Sequence, residues 1–274
     1  MILHDANPAS AVSNAKGIPS SPPGRVIVIA NQKGGVGKTT TAVNLAACMA
    51  AAGRGSLLID LDPQGNATSG LGIDRNSLDR TIYHALVDGV PLRDVMQPTL
   101  MDNLKMIPSN KELVGAEVEL VSAPHREFRL RQQLEALREE FKFIFIDCPP
   151  SLGLLTLNGL VAADGVIVTL QCEYYALEGL SELLHTIMLV RDNLNPLLRL
   201  QGVLLTMYQY TNLSRQVMED VRAHLGPKVY ETVIPRNVTL SEAPSFGKPV
   251  IIYDLKSAGA RAYLALAREV LSRG

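Results

Sequence analysis

Residues 31–41 read NQKGGVGKTTT. Glycines at 34, 35 and 37 let backbone N–H groups close round phosphate oxygens with no side chains in the way. Lys38 stands where an ammonium reaches the β- and γ-phosphates of a nucleotide, Thr39 offers a hydroxyl to Mg2+, and Thr40 offers one to the α-phosphate. Two acidic stretches suit the same chemistry. FIFIDCPP runs four apolar residues into Asp147, and a carboxylate at the end of a buried strand holds Mg2+ or its bound water. LLIDLDPQGN presents Asp60 and Asp62. Asp62 falls just past a strand end, where it can meet a γ-phosphate and an attacking water. The plainer alternative is a glycine turn before an ordinary helix, and three carboxylates beside the loop weigh against it. On residue type alone, Lys33 reads as a solvated loop lysine.

These groups need strand ends and a helix start to position them. Strand-like runs are VIVIA (26–30), SLLID (56–60), LKMIP (104–108), FKFIFID (141–147), GVIVTL (165–170) and QGVLLTM (201–207). Most are continuously apolar, as in parallel strands buried on both faces. Helical stretches lie between them: 39–53, which ends on Gly53, 127–141, 177–194 and 257–274. In 127–141 the apolar face is Phe128, Leu130, Leu134, Leu137 and Phe141. The alternation predicts an α/β fold with a doubly wound, mostly parallel sheet flanked by helices. The strand–glycine loop–helix order around Lys38 is the context a P-loop requires. Residues 1–24, rich in Pro, Ser, Ala and Asn, read as a disordered N-terminal tail, and 25–274 as one domain.

Composition excludes several classes. No apolar run approaches the ~20 residues that span a bilayer. The N-terminus lacks a basic-then-apolar signal pattern. Cys48, Cys148 and Cys172 are widely spaced and odd in number. They give no CxxC pair and suit reduced thiols in a cytoplasm. Net charge is −1, but from Arg199 onward ten Lys/Arg stand against six Asp/Glu. A basic C-terminal third suits a polyanion, although scattered surface charge explains the count equally well.

KGGVGKTTT, DLDPQGNATSGLG (60–72), DCPPSLG (147–153) and VIPRNVTLSEAPSFGKPV (233–250) together resemble the ParA/Soj chromosome-partitioning ATPases. These form a deviant-Walker-A branch of the P-loop NTPases, with MinD as a relative. The resemblance covers roughly 25–272 and implies ATP and Mg2+ as cofactors. It assigns the phosphates to Lys33, Gly34, Gly35, Val36, Gly37, Lys38, Thr39 and Thr40, and the metal to Thr39 and, through water, Asp147. It implies Lys33, Lys38 and Asp62 as the catalytic residues. In this branch the early lysine, here Lys33, reaches across an ATP-dependent homodimer to the partner's nucleotide. Two anionic nucleotides facing each other need cations between them. IPRNV resembles the segment lining the adenine pocket, which implicates Pro235 and Asn237, with Tyr208 opposite. Pro235 and Tyr208 serve equally well as turn and packing residues.

The resemblance further implies non-specific DNA binding by the ATP dimer, a ParB-type partner that stimulates hydrolysis, and a cytoplasmic, nucleoid-associated location. DNA-contact candidates are Arg215, Arg236 and Lys248, with Arg222 and Lys228 weaker. The chain departs from the family at Tyr210 and Thr239, where many relatives carry arginine. A MinD-like membrane cycle would need a basic amphipathic helix at the C-terminus, whereas the sequence closes on LAREVLSRG. An electron-transfer ATPase would need paired cysteines for a cluster, and Cys148 and Cys172 form no obvious ligand set. A scaffold with little turnover remains the third alternative, and Asp62 argues against it.

Overall fold

The computed structural model describes residues 24–173 and 176–273. Eight strands form one sheet: β1 Arg25–Ala30, β2 Ser56–Asp60, β3 Gln97–Pro98, β4 Leu104–Ile107, β5 Phe143–Asp147, β6 Gly165–Gln171, β7 Arg199–Tyr208 and β8 Val229–Pro235. Their order is β3-β4-β2-β5-β1-β6-β7-β8. Every pairing is parallel except β3 with β4. This is the α/β sheet flanked by helices that the alternating pattern implies.

Side-chain alternation divides the core between the two faces. Val26, Val28 and Ala30 pack into one cluster, and Ile27 and Ile29 into the other. All residues of β2 and β5 are buried, which explains their lack of polar alternation. Helices cover both faces. On one of them α1 (Lys38–Ala51) packs beside the helix Ala258–Ser272, whose N-cap Ser257 accepts from Ala260 N–H. The sheet leaves β1 flanked by β5 on one side and β6 on the other. The carboxyl end of β1 is therefore the point where the strand order reverses, the usual place for a ligand crevice in such sheets.

The structure departs from the sequence reading in several places, among them the unread helix Leu154–Ala162 and the short strand β3. The 127–141 stretch is not one helix: a 3₁₀ turn Arg126–Phe128 leads into the helix Arg129–Leu134 and a second 3₁₀ turn, Glu135–Leu137. Tertiary bonds interrupt it, because Leu130 N–H donates to the Asn158 side chain and the Arg138 carbonyl accepts from Gly24 N–H. Gly24, placed with the tail in that reading, is buried, and a β-carbon there would stand 1.8 Å from the Phe141 carbonyl oxygen. The rest of the tail lies outside the described residues. The eighth strand, VYETVIP, escaped because Glu231 and Thr232 interrupt it at the sheet edge. The helix Asn212–Leu225, N-capped by Thr211, also went unrecognised.

Candidate nucleotide site

The loop from Asn31 to Gly37 leaves β1 and enters α1. Gly35 (φ 73°) and Gly37 (φ 82°) hold left-handed backbone that a side chain would strain. Gly37 caps α1 without any side-chain bond, and the first turn carries no acidic residue. The N-terminal N–H groups of α1 and its positive dipole end are thus left for an anion. The loop is braced from beneath. Asn31 donates to the Thr169 carbonyl at 2.5 Å and accepts from Lys33 N–H at 2.9 Å. Thr206 donates to the Val36 carbonyl at 3.0 Å.

Lys38 is 6% exposed, and its Nζ folds over the loop to donate to the Lys33 carbonyl at 2.9 Å. Burial lowers its pKa, against the pull of Asp147, Cys148 and Asp62. Lys33 points the other way: its Nζ meets Glu173 Oε2 at 2.6 Å on the surface. Glu173 also accepts from Gln171 at 2.5 Å.

Asp60 and Asp147 lie side by side at the ends of β2 and β5. Asp60 is satisfied, accepting from Asp62 N–H and from both the N–H and the hydroxyl of Thr68. It organises the turn rather than facing a ligand. Asp147 is fully buried, yet neither carboxylate oxygen has a hydrogen-bond partner among the described residues. Burial pushes its carboxyl well above the ordinary range, Asp60 adds to this, and Thr39 and Lys38 pull the other way. A buried, unsatisfied carboxylate beside a threonine hydroxyl and an open helix N-terminus fits a magnesium ion. Mg2+ takes only one or two protein oxygens and fills its shell with water and phosphate. Accordingly, no cluster of three or more His, Cys, Asp or Glu side chains is arranged for a metal among the described residues. Asp62 is 7% exposed. Its side chain accepts from Gln64 N–H at 2.9 Å, and its carbonyl accepts from the Ser109 hydroxyl at 2.8 Å.

A cavity of about 490 Å³ extends from this loop. Lys33, Gly34, Gly35, Gly37 and Thr40 of the loop and α1 line it together with Thr206, Met207, Pro235 and Asn237. The buried Asn237 side-chain oxygen has no hydrogen-bond partner among the described residues, so an acceptor stands ready in the cavity wall. Tyr208 does not line the cavity. Its ring packs edge-on against Tyr210, and its carbonyl accepts from Arg236 N–H. Thr206 and Met207 take its place and were not foreseen. Neither were Asn31 and Glu173, for which only their closeness to the strand ends gave a signal.

Arg215, Arg236 and Lys248 are all exposed. Arg236 lines the nucleotide-sized cavity, and Lys248 lines a neighbouring one that shares Thr40 and Pro244 with it. Arg215 lies in the first turn of the helix that follows β7. Arg222 and Lys228 do not join them. Arg222 lines a cavity at the opposite edge, and Lys228 joins Arg25, Arg199 and Arg273 around a larger one of about 670 Å³ that shares Pro227 and Arg273 with it. That cavity lies at the starts of β1, β6 and β7, remote from the phosphate loop.

A family model described as an AAA domain matches residues 24–200. The chain is 57% identical to the chromosome partitioning protein ParA of Myxococcus xanthus, over 91% of this chain and 89% of that one. It is 56% identical to the sporulation initiation inhibitor protein Soj of Bacillus subtilis, over 92% of this chain and all of that one. Among solved structures, the cobyrinic acid a,c-diamide synthase of Mycobacterium smegmatis, with bound ATP analogue and magnesium, superposes with a TM-score of 0.80 at 40% identity. It covers 90% of this chain and 94% of its own. The resemblance read from the loop, the two aspartate motifs and the IPRNV segment thus extends along nearly the whole chain, and the chain belongs to the ParA/Soj family of chromosome-partitioning ATPases.

Proposed function

We propose that this ATPase is a nucleotide-timed switch for DNA partitioning, in which ATP assembles a homodimer that holds DNA and hydrolysis releases it. The observation that carries this reading is the pairing of two lysines on one loop. Lys38 lies inward over the phosphate position, while Lys33 lies outward and exposed, its ammonium held by a surface ion pair to Glu173 that it can leave for a second subunit.

The family resemblance and the geometry of the loop together support this division of roles. The loop N–H groups from Gly34 to Thr40 receive the phosphates, and Lys38 neutralises the β- and γ-oxygens. The Thr39 hydroxyl and Asp147, the latter through water, would hold Mg2+, which when bound would supply further charge neutralisation at those oxygens. Pro235 packs on the adenine, and the unpartnered Asn237 oxygen accepts from its amino group. Asp62, fixed by Gln64 and Ser109, orients the attacking water. Lys33 enters the partner's site and stabilises charge that develops in the transition state, as an arginine finger does. Arg215, Arg236 and Lys248 meet the phosphates of duplex DNA, and no base code is needed. A ParB-type partner accelerates hydrolysis. No described helix is long and apolar enough to cross a membrane.

Sizing the protein with ATP, with ADP and without nucleotide, then with an unrelated duplex added, tests the reading. The expected result is a dimer and a DNA complex with ATP alone. A monomer under all three conditions removes it.

A further inference from the structure

The helix Leu113–Glu119 and the 3₁₀ turn Leu120–Ser122 that continues it carry two apolar faces. Leu113, Ala116 and Leu120 are buried in the core. Val114, Val118 and Val121 are 57%, 73% and 60% exposed. At about 100° per residue, these three valines fall within an arc of roughly 60°. Valine is a mediocre helix former, because its branched side chain loses rotamer freedom against the preceding turn. Single exposed apolar residues are ordinary, but three aligned on one short helix make an unpartnered face.

The position of this face identifies what covers it. Glu117 lies between the buried face and the valines. Its Oε1 is 2.3 Å from the point where a β-carbon on Gly153 would stand, so the carboxylate rests on the backbone of the loop that follows Asp147. In that loop Pro150 Cβ is 3.9 Å from the equivalent point on Gly34, the neighbour of Lys33. Lys33, Gly34, Pro150, Ser151 and the three valines are all exposed. Glu117 and Gly34 thus bring the valine helix and the Lys33 loop against the same short segment, Pro150 to Gly153. The carboxylates of the same helix are already engaged. Glu119 accepts from the Tyr83 hydroxyl on the opposite flank, and Glu112 accepts from Asn110. The three valine side chains present an apolar stripe, with the Arg126 guanidinium donating to the Val121 carbonyl at its end, and such a stripe suits burial against protein.

We infer that Val114, Val118 and Val121 are the apolar margin of the homodimer, covered by a second copy of this chain once Lys33 engages the partner's nucleotide. The inference rests on the nucleotide-dimer reading above. The test is sedimentation velocity of the full chain with a non-hydrolysable ATP analogue, comparing wild type with Val118→Glu and with Val114→Asn/Val121→Asn. Both variants are expected to dimerise at least tenfold more weakly, with fluorescent ATP-analogue binding to the monomer unchanged. Hydrogen exchange in wild type should show residues 113–122 protected in the dimer, a readout that needs no variant. Wild type that dimerises while 113–122 stay unprotected, or variants that dimerise as well as wild type, overturn the inference alone. Variants that dimerise normally but lose stimulation by the partitioning partner also overturn it, and give the stripe to that partner. Wild type that stays monomeric overturns the dimer reading and this inference together.

Discussion

Lys33 is held by Glu173 of its own chain, 140 residues away, with 2.6 Å between Nζ and Oε2. A lysine destined for a second subunit must first leave this carboxylate. Both side chains are about half exposed, so the pair is screened by water and contributes little. Glu173→Gln should tighten ATP-dependent dimerisation, by no more than about fivefold. Lys33→Ala should leave a folded monomer that binds ATP but does not dimerise. Sedimentation across a protein concentration series reads both effects. A weaker dimer in Glu173→Gln would mean that the carboxylate aligns the lysine rather than restrains it.

Asp147 gives a prediction about stability. Burial raises its folded pKa above its ordinary 3.8, so the folded protein binds a proton more tightly than the unfolded chain does. Stability is then fully present below about 3.8 and is lost as pH rises through the folded value. Asp147→Asn removes the charge and keeps the shape. Without nucleotide it should be more stable than wild type at neutral pH, by about 1–3 kcal/mol. The difference should vanish as pH falls toward 4. ATPase activity should be lost in the same variant. Melting curves from pH 4 to 8 without magnesium or nucleotide read the sign, and equal curves throughout would refute it.

Asp62 differs from Asp60, whose carboxylate is satisfied, and from Asp147, which is fully buried: its turn is fixed, it is 7% exposed, and its side chain accepts from Gln64 N–H. Loss of a positioning group in phosphoryl transfer costs turnover far more than binding. Asp62→Ala should cut steady-state phosphate release by about 100-fold and leave a dimer that persists with ATP. Ser109→Ala, which loosens the turn but keeps the carboxylate, should cost less. Comparable losses in the two variants would assign Asp62 a role in the turn alone.

What the sequence discloses depends on how far apart the cooperating residues lie. The phosphate loop was legible because its glycines, lysine and threonines are consecutive and its flanking strand and helix are strongly patterned. Asp60, Asp62 and Asp147 were legible because each closes or follows an apolar run. Three features were hidden because they depend on packing. Thr206 meets Val36 across 170 residues of chain, and Asn31 meets Thr169 across 138. Tyr208 looked like a pocket residue by its place after a strand, yet Thr206 and Met207, just before it, line the cavity. β8 was hidden for a local reason, since an edge strand tolerates the polar residues that break its apolar run. Asp60 and Asp147 read alike in the sequence, and only Thr68 and Asp62 N–H, which satisfy one and not the other, tell them apart.

The separation of the basic residues between two edges bears on DNA. Arg215, Arg236 and Lys248 share the nucleotide edge, and Lys228 lies at the opposite one. If phosphates are met at the nucleotide edge, the ATP dimer brings two such sets of cations to one duplex, and affinity depends on the nucleotide. Each phosphate contact contributes about −0.9 to the slope of log affinity against log salt. Two or three cations per subunit then give a slope of roughly −4 to −5. Arg215→Glu should weaken binding equally on unrelated duplexes and flatten this slope, while ATP-dependent dimerisation survives. Arg236→Glu is the less clean variant, because Arg236 also lines the nucleotide cavity. Lys228→Glu should change binding much less. The measurement is the affinity of two unrelated duplexes across a salt series, with ATP and with ADP. Equal affinity in the two nucleotide states would remove the nucleotide gate. A larger loss in Lys228→Glu than in Arg215→Glu would move the DNA surface to the opposite edge of the sheet.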